Sequence, residues 1–263
     1  MATVVVAAAL LGTVWTAPAW AITASAPTIS GRGGDLGPLT MSCTVGAGGD
    51  RVLVVGVTWK LASGATADVS SITYGGTALN RIAGACPGAT RDGTALYYLD
   101  MASDSSGTTA NIIVTMTTPT GSGMNVGAMT LSGAKQGGPT TSSKNNSGGT
   151  SVTTISLSPA MNLQGGMAVV DVVSNSSTAY STLTPPTGSA DWISPSGSYN
   201  HRGAGTFRVL GADNANYLDT WTAGTSARMS LSAAAWESVA PLIRSVTSTT
   251  RNTSPVCRNC VVS

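Results

Sequence analysis

Side-chain catalysis has few candidates in this sequence, because its 263 residues include a single histidine and a single glutamate. The histidine, His201, lies in the segment 198–203, SYNHRG, whose composition is typical of a surface loop. The chain has no G-x-S-x-G motif that would supply a nucleophilic serine. We therefore interpret His201 as an exposed loop residue, and we assign no catalytic residue.

Paired carboxylates, which most glycoside hydrolases require, are also scarce. Glu237 follows a tryptophan near the end of the β-prone region, and Asp171 interrupts an apolar run. Nothing in their spacing brings the two together, so we interpret each as a solvent-facing residue of a half-buried strand. A polysaccharide-acting enzyme is the least favoured of the functions considered below.

Hard oxygen ligands occur where four Asp and Asn side chains fall within seven residues: Asp213, Asn214, Asn216 and Asp219. Calcium prefers such oxygens, so a bound ion could brace this loop. The spacing does not match an EF-hand, and clusters of this composition more often form turns. Calcium is therefore the one cofactor that the sequence leaves open.

Aromatic side chains are the main candidates for ligand binding. Four of them fall in segments of loop-like composition in the second half of the chain: Trp192, Tyr199, Tyr217 and Trp221. Aromatic rings at the loop end of a β-protein can stack on sugar rings. They can equally be core residues or anchors of the loops, so glycan binding is a hypothesis that competes with a structural role.

Four cysteines suggest a second kind of chemistry. In an exported protein an even number favours disulfides, and we predict the pairs Cys43–Cys86 and Cys257–Cys260. The alternative is a zinc ion held by all four thiolates. The C-x-x-C spacing of the second pair has no βαβ pattern around it, which argues against a redox motif.

The elements that position these groups are β-strands, and the clearest is 51–60, RVLVVGVTWK. Because side chains alternate along a strand, Val52 and Val54 share one face while Leu53 and Val55 share the other. Both faces are apolar, so we expect both to be covered. Gly56 in mid-strand indicates that a neighbouring group approaches closely there.

A hairpin follows, because Gly75-Gly76 separates two short β-prone runs, 72–74 and 77–79. Consecutive glycines suit a primed turn, which needs positive φ angles. Further short β-prone segments continue to residue 243 with turn residues between them, and no helical period or sequence repeat is evident. The pattern predicts an all-β, antiparallel, jelly-roll-like β-sandwich with long surface loops.

Four segments taken in order carry a family resemblance: GDRVLVVGV, SITYGGTALNR, ALYYLD and NIIVTM. They resemble a β-sandwich module that recurs in bacterial secreted proteins and phage virion proteins. The resemblance would span roughly residues 27–244. Its motifs are core and turn residues, and the family offers no catalytic signature to transfer, so it implies a fold and an extracellular location rather than an activity.

Composition narrows the classes of partner. Charged residues make up 9% of the chain, against about 25% in ordinary soluble domains, and hydroxyl side chains and glycine take their place. The net charge is +2 without a dense basic patch, so the electrostatic footprint of a nucleic-acid-binding protein is missing. We expect no nucleic-acid partner and no stable membrane insertion.

The organisation predicted along the chain has three parts. Residues 1–26 form an apolar segment, which is either a signal peptide ending at Ala19-Trp20-Ala21 or a retained assembly strand. Residues 27–245 form a single sandwich domain, in which 136–150 is a polar surface loop, and 246–263 form a polar tail. The assembly-strand reading rests on seven apolar side chains: Val4, Val5, Val6, Leu10, Leu11, Val14 and Trp15.

Two functions from different classes follow. The favoured one is a secreted, non-catalytic structural subunit of a surface filament, sheath or virion-like assembly, whose main partners are copies of itself. The alternative is a glycan-binding or adhesion module.

Overall fold

The computed structural model describes residues 21–32, 37–61, 67–85, 92–101, 106–118, 121–177, 182–187, 190–193 and 201–239. Every regular element in these residues is a β-strand, and the strands pair antiparallel. The prediction of an antiparallel all-β protein is confirmed. The described residues include no helix with the length and apolar character needed to cross a membrane.

The first ten strands form two sheets. Their bounds are β1 Thr23–Ala24, β2 Thr28–Arg32, β3 Leu39–Val45, β4 Arg51–Leu61, β5 Val69–Tyr74, β6 Thr77–Ala78, β7 Asn80–Ala85, β8 Asp92–Met101, β9 Thr108–Met116 and β10 Gly121–Ser132. The first inner sheet has the order β1-β10-β4-β8-β7, and β2 also pairs with β10. The first outer sheet has the order β3-β9-β5-β6.

The remaining strands form sheets of their own. Their bounds are β11 Thr141–Asn146, β12 Val152–Ser156, β13 Met161–Leu163, β14 Ala168–Asn175, β15 Leu183–Thr184, β16 Trp192–Ile193, β17 Arg202–Val209, β18 Asn214–Tyr217, β19 Thr220–Ala227 and β20 Met229–Trp236. The second inner sheet has the order β11-β20-β14-β17-β16. The second outer sheet has the order β12-β19-β15, and β13 pairs with β18.

The two halves repeat one strand order, although the sequence predicts no repeat. In each inner sheet the last strand of the half, β10 or β20, lies between two others. One is the first strand of that half, β1 or β11, and the other is a long, fully buried strand, β4 or β14. In each outer sheet the second-to-last long strand, β9 or β19, lies in the centre. No sheet in the described residues mixes the halves, so we call 21–132 the first module and 141–236 the second module.

Three apolar cores connect these sheets. The first core lies between the sheets of the first module, and the second core lies between those of the second module. The third core joins the modules, because Val52 and Val54 of β4 pack with Val170 and Val172 of β14. Both faces of β4 are therefore covered, as its two-faced apolar pattern predicts.

The close approach predicted at Gly56 is confirmed. A Cβ placed there would lie 3.3 Å from Cβ of Val172 in the opposite module. The predicted hairpin is confirmed as well, with φ angles of 56° at Gly75 and 87° at Gly76 and with Tyr74 paired to Thr77 across the turn.

The segment 136–150 is not loop throughout. Its residues Thr141–Asn146 are β11, which pairs along its whole length with β20. This part of the loop prediction is wrong because an edge strand with one solvated face needs few apolar residues. The N-terminal part of the chain also enters the fold before residue 27, since Ile22 is 2% exposed in the third core and β1 pairs with β10.

Candidate functional sites

The two tryptophans predicted to bind glycans are core residues. Trp221 is fully buried in β19, and Trp192 is 3% exposed. The indole of Trp192 is wedged between the inner sheets, where a Cβ on Gly127 would lie 2.6 Å from its ring. The prediction that they lie in loops is wrong. For Trp221 the alternation of side chains along a strand could have shown this, because Thr220 and Thr222 flank it and face outward.

The other two aromatic candidates differ. Tyr217 is half-buried, and its ring centre lies 5.9 Å from the guanidinium carbon of Arg208. Tyr199 lies outside the described residues, as do Val4, Val5, Val6, Leu10, Leu11, Val14 and Trp15 of the predicted assembly strand. The glycan-binding hypothesis thus loses both tryptophans on which it mainly depended.

The four predicted calcium ligands turn to different partners. Asp213 accepts a hydrogen bond from the amide of Gly165 at 2.8 Å, and Asn214 accepts one from the amide of Asn216 at 3.0 Å. Asp219 is fully buried against Arg208. Within the described ranges no three His, Cys, Asp or Glu side chains are grouped so as to hold a metal ion. The contacts of Asp213 and Asn214 with backbone amides are typical of residues in turns.

Cys43 is a free, buried thiol in β3. The predicted Cys43–Cys86 disulfide is therefore not found, and Cys86, Cys257 and Cys260 lie outside the described residues. Burial raises the pKa of the Cys43 thiol, so this side chain behaves as a small apolar core residue.

A cluster that the sequence did not reveal lies inside the second module. Asp171 of β14 and Asp219, which precedes β19, are both fully buried. Nη2 of Arg208 bridges them, at 2.9 Å from Oδ2 of Asp171 and 2.6 Å from Oδ1 of Asp219. The backbone amide and the hydroxyl of Thr206 also donate to Asp171. The interpretation of Asp171 as solvent-facing is wrong.

The two carboxyls of this cluster have one arginine between them. Burial, followed by the neighbouring carboxyl of Asp219, raises the pKa of Asp171 well above its usual range, and Arg208 only partly opposes this. Burial and the same carboxylates also raise the pKa of Tyr217. Arg208 therefore offsets only part of the cost of placing two carboxyls together, and Asp171 keeps its proton to a higher pH than a free aspartate.

A second polar cluster lies where the modules meet. His201 is 3% exposed, so the prediction of an exposed loop histidine is wrong. Its Nδ1 lies 3.3 Å from Nδ2 of Asn125 in β10, and its Nε2 lies 3.3 Å from Oγ of Ser174 in β14. Burial and the charge of Lys60 lower the pKa of His201 to about 3, so the ring is neutral at ordinary pH.

One concave surface, in the first module, has room for a ligand. It is a cleft of about 300 Å³ at the end of β8, with Leu99 and Met101 on β8 and Tyr74 on β5 among its lining residues. The hydroxyl of Tyr74 is already engaged, since it donates to the carbonyl of Thr108 at 2.7 Å.

No family model, curated protein or solved structure matches this chain. Its function has to be argued from the geometry of these sites. Both polar clusters contain groups that could transfer protons. Asp171, Asp219 and His201 are 3% exposed or less, Arg208 is 20% exposed, and these side chains bond to their neighbours. These buried contacts stabilise the modules, and the shifted pKa values of Asp171 and His201 make that stability depend on pH.

Proposed function

We propose that the protein is a secreted, non-catalytic structural subunit that associates with further copies of itself. The observation that carries this proposal is the apolar core shared by the two modules. The third core joins two modules into one block, and the polar groups inside it contact each other rather than open space.

We infer further that each module is a jelly-roll β-sandwich. Apart from the fifth strand, which joins the second of these sheets, a jelly roll of eight strands has the first, eighth, third and sixth strands in one sheet and the second, seventh and fourth in the other. When β1 and β2 count as one strand and β6 and β7 as another, the first module follows this order, and the second follows it when β13 and β18 are set aside. Solution of an experimental structure would test this assignment.

The outermost faces of the stack support self-association. Their outward side chains are uncharged and mostly hydroxyl-bearing, with Thr40, Ser42 and Thr44 on β3 and Thr154 and Thr222 on the second outer sheet. Two such faces can approach without like-charge repulsion. Ile113, at 37% exposure, lies in the first outer face between Thr40 and Thr73.

Two variants that each add one negative charge to the surface test this association. Sedimentation and negative-stain electron microscopy of the purified protein, over a wide range of concentration, should show concentration-dependent assemblies. Ile113→Glu should abolish them, whereas Val209→Glu, at a matched 39% exposure away from the outer faces, should not. A monodisperse monomer at every concentration, or assembly by Ile113→Glu at the wild-type level, would refute the proposal.

Export is supported by the position of Ile22. This side chain is buried in the third core directly after the predicted cleavage site at Ala21. The mature chain would then begin with a core residue. N-terminal sequencing of protein recovered outside the producing cell should give Ile22, and recovery only from inside the cell would argue against export.

Glycan binding is the second candidate, and the cleft near Leu99 favours it because it offers a concave surface with Tyr74, Thr77 and Asp100 along its lining. A glycan array tests it directly. Binding that is lost in Leu99→Trp, which fills the cleft, would support this function, and the absence of binding to any glycan would remove it.

A further inference from the structure

The interface between the modules has two chemically different ends. At one end apolar side chains pack together, including Val52 of β4 and Trp236 of β20. At the other end the contacts are polar: Nζ of Lys60 donates to the carbonyl of Ser176 at 2.8 Å, and the hydroxyls of Thr94 and Ser232 lie 2.8 Å apart. The hydroxyl of Ser230 donates to the carbonyl of Asp92 at 2.9 Å.

His201 occupies the polar end. Asn125 of the first module and Ser174 of the second hold its two ring nitrogens, and both partners are uncharged. The charge that acts on the ring comes from Lys60 on β4. Asp92 of β8 is the cross-strand partner of Lys60, and Arg202 follows His201 at the start of β17. Lys60 is the charged group that acts on the ring, and its positive charge opposes protonation of His201.

The neighbours of His201 fit a neutral ring and not a charged one. With the amide placed as it is, Nδ2 of Asn125 is a donor that faces Nδ1, so Nδ1 must accept. A protonated ring would donate from both nitrogens and would add a second positive charge near Lys60 to a side chain that is only 3% exposed. In the closed arrangement, burial of the ring and the charge of Lys60 both oppose the added proton.

We propose that the polar end of the interface is an acid-operated joint, in which protonation of His201 separates the strands around it while the apolar end keeps the two modules attached. The joint loosens locally because the third core still joins the modules, with Trp192 of that core packed against Gly127 and Gly205. The chain stays folded as two modules when the joint is open.

Acid favours the open joint because His201 binds a proton more tightly in the open form than in the closed form. In the open joint His201 titrates near 6.5, and in the closed joint burial and Lys60 hold its pKa at about 3. Above pH 6.5 the ring is neutral in both forms, so the closed form has its full stability relative to the open form. Between these values the open form gains a proton that the closed form lacks, so the ratio of closed to open joint falls about tenfold for each pH unit.

The single histidine makes the test direct. In a preparation of the full chain without a histidine tag, carbon NMR of the ring should give one resonance, which stays in the neutral position down to about pH 5 and exchanges with an open form below that. Hydrogen exchange, corrected for the intrinsic pH dependence of amide exchange, should show protection of segments 121–132 and 201–209 falling with pH while 39–45 stays protected.

Two variants separate charge from packing. His201→Gln keeps a side chain that bonds to Ser174 and should remove the pH dependence of exchange in 201–209. Lys60→Met keeps the length of the side chain but removes the charge, so it should raise the pKa of His201 and weaken the acid response. The proposal is overturned if wild-type exchange is independent of pH, if 39–45 loses protection in parallel, or if Lys60→Met responds to acid as strongly as wild type.

Discussion

The backbone of Gly56 lies against the side chain of Val172, so that a Cβ on the glycine would be 3.3 Å from Cβ of the valine. This contact joins the most buried strand of the first module to its counterpart in the second. Because it belongs to neither module alone, it reports on how the two are stacked.

Substitution of Gly56 should therefore destabilise the stack. Gly56→Val adds three carbons where the facing valine cannot withdraw, and we expect it to lower the free energy of unfolding by about 1–3 kcal/mol. Gly211→Ala is the control, because a Cβ there meets nothing within 4 Å. Urea unfolding of both variants measures this, and a Gly56→Val protein as stable as wild type would show that the inner sheets lie further apart.

Removal of the Arg208 guanidinium should cost far more than removal of a surface cation. In Arg208→Met, Asp171 and Asp219 lose the positive charge that bridges them, and breaking such a buried pair costs about 3–5 kcal/mol. Lys135→Met removes the exposed pair with Glu237 and should cost less than about 1 kcal/mol. Equal unfolding midpoints in urea for the two variants would contradict the proposed role of the buried cluster.

The buried carboxyl pair should make the protein less stable as pH rises. Below the usual pKa of 3.8 the Asp171 carboxyl is protonated in both the folded and unfolded chain, so its burial is without charge penalty. Above that value the unfolded chain releases the proton and the folded chain does not, so stability is lost until the raised folded pKa is reached. Asp171→Asn, which is neutral at every pH, should be more stable relative to wild type at pH 8 than at pH 4.

Chemical unfolding at these two pH values measures the difference. His201 acts in the opposite direction, since its lowered pKa removes stability as pH falls below 6.5. The His201→Gln background isolates the carboxyl effect. A difference between Asp171→Asn and wild type that does not change with pH in that background would rule out the shared proton.

Truncation of the buried tryptophans should unfold the protein rather than abolish a binding site. Trp221→Ala leaves a large cavity in the second core, and Trp192→Ala leaves one between the modules. We expect a loss of about 3–5 kcal/mol for each. Leu218→Ala, at 53% exposure, should change little. Thermal unfolding of these variants measures the loss. If both tryptophan variants were as stable as wild type, the two side chains would have to lie at the surface.

The strands themselves were predictable because their signals are local. Alternation over Leu39–Val45 and over the apolar positions of β4 matches the observed burial, and Gly75-Gly76 marks the hairpin by its need for positive φ. The same rule applied to Asp171 gives the wrong answer. Its strand is buried along its whole length. The carboxyl was predicted to face solvent because the local sequence does not show the groups that it bonds to.

Those partners are supplied by tertiary structure. Arg208, 37 residues along the chain on the neighbouring strand β17, bonds to both Asp171 and Asp219, and Asn125 reaches His201 across 76 residues of sequence. The sequence by itself determined an antiparallel β-protein with few exposed charges and a two-faced central strand. Only the folded chain decided that the second face of β4 is covered by the second module, because alternation records that a face is buried and carries no information about what buries it.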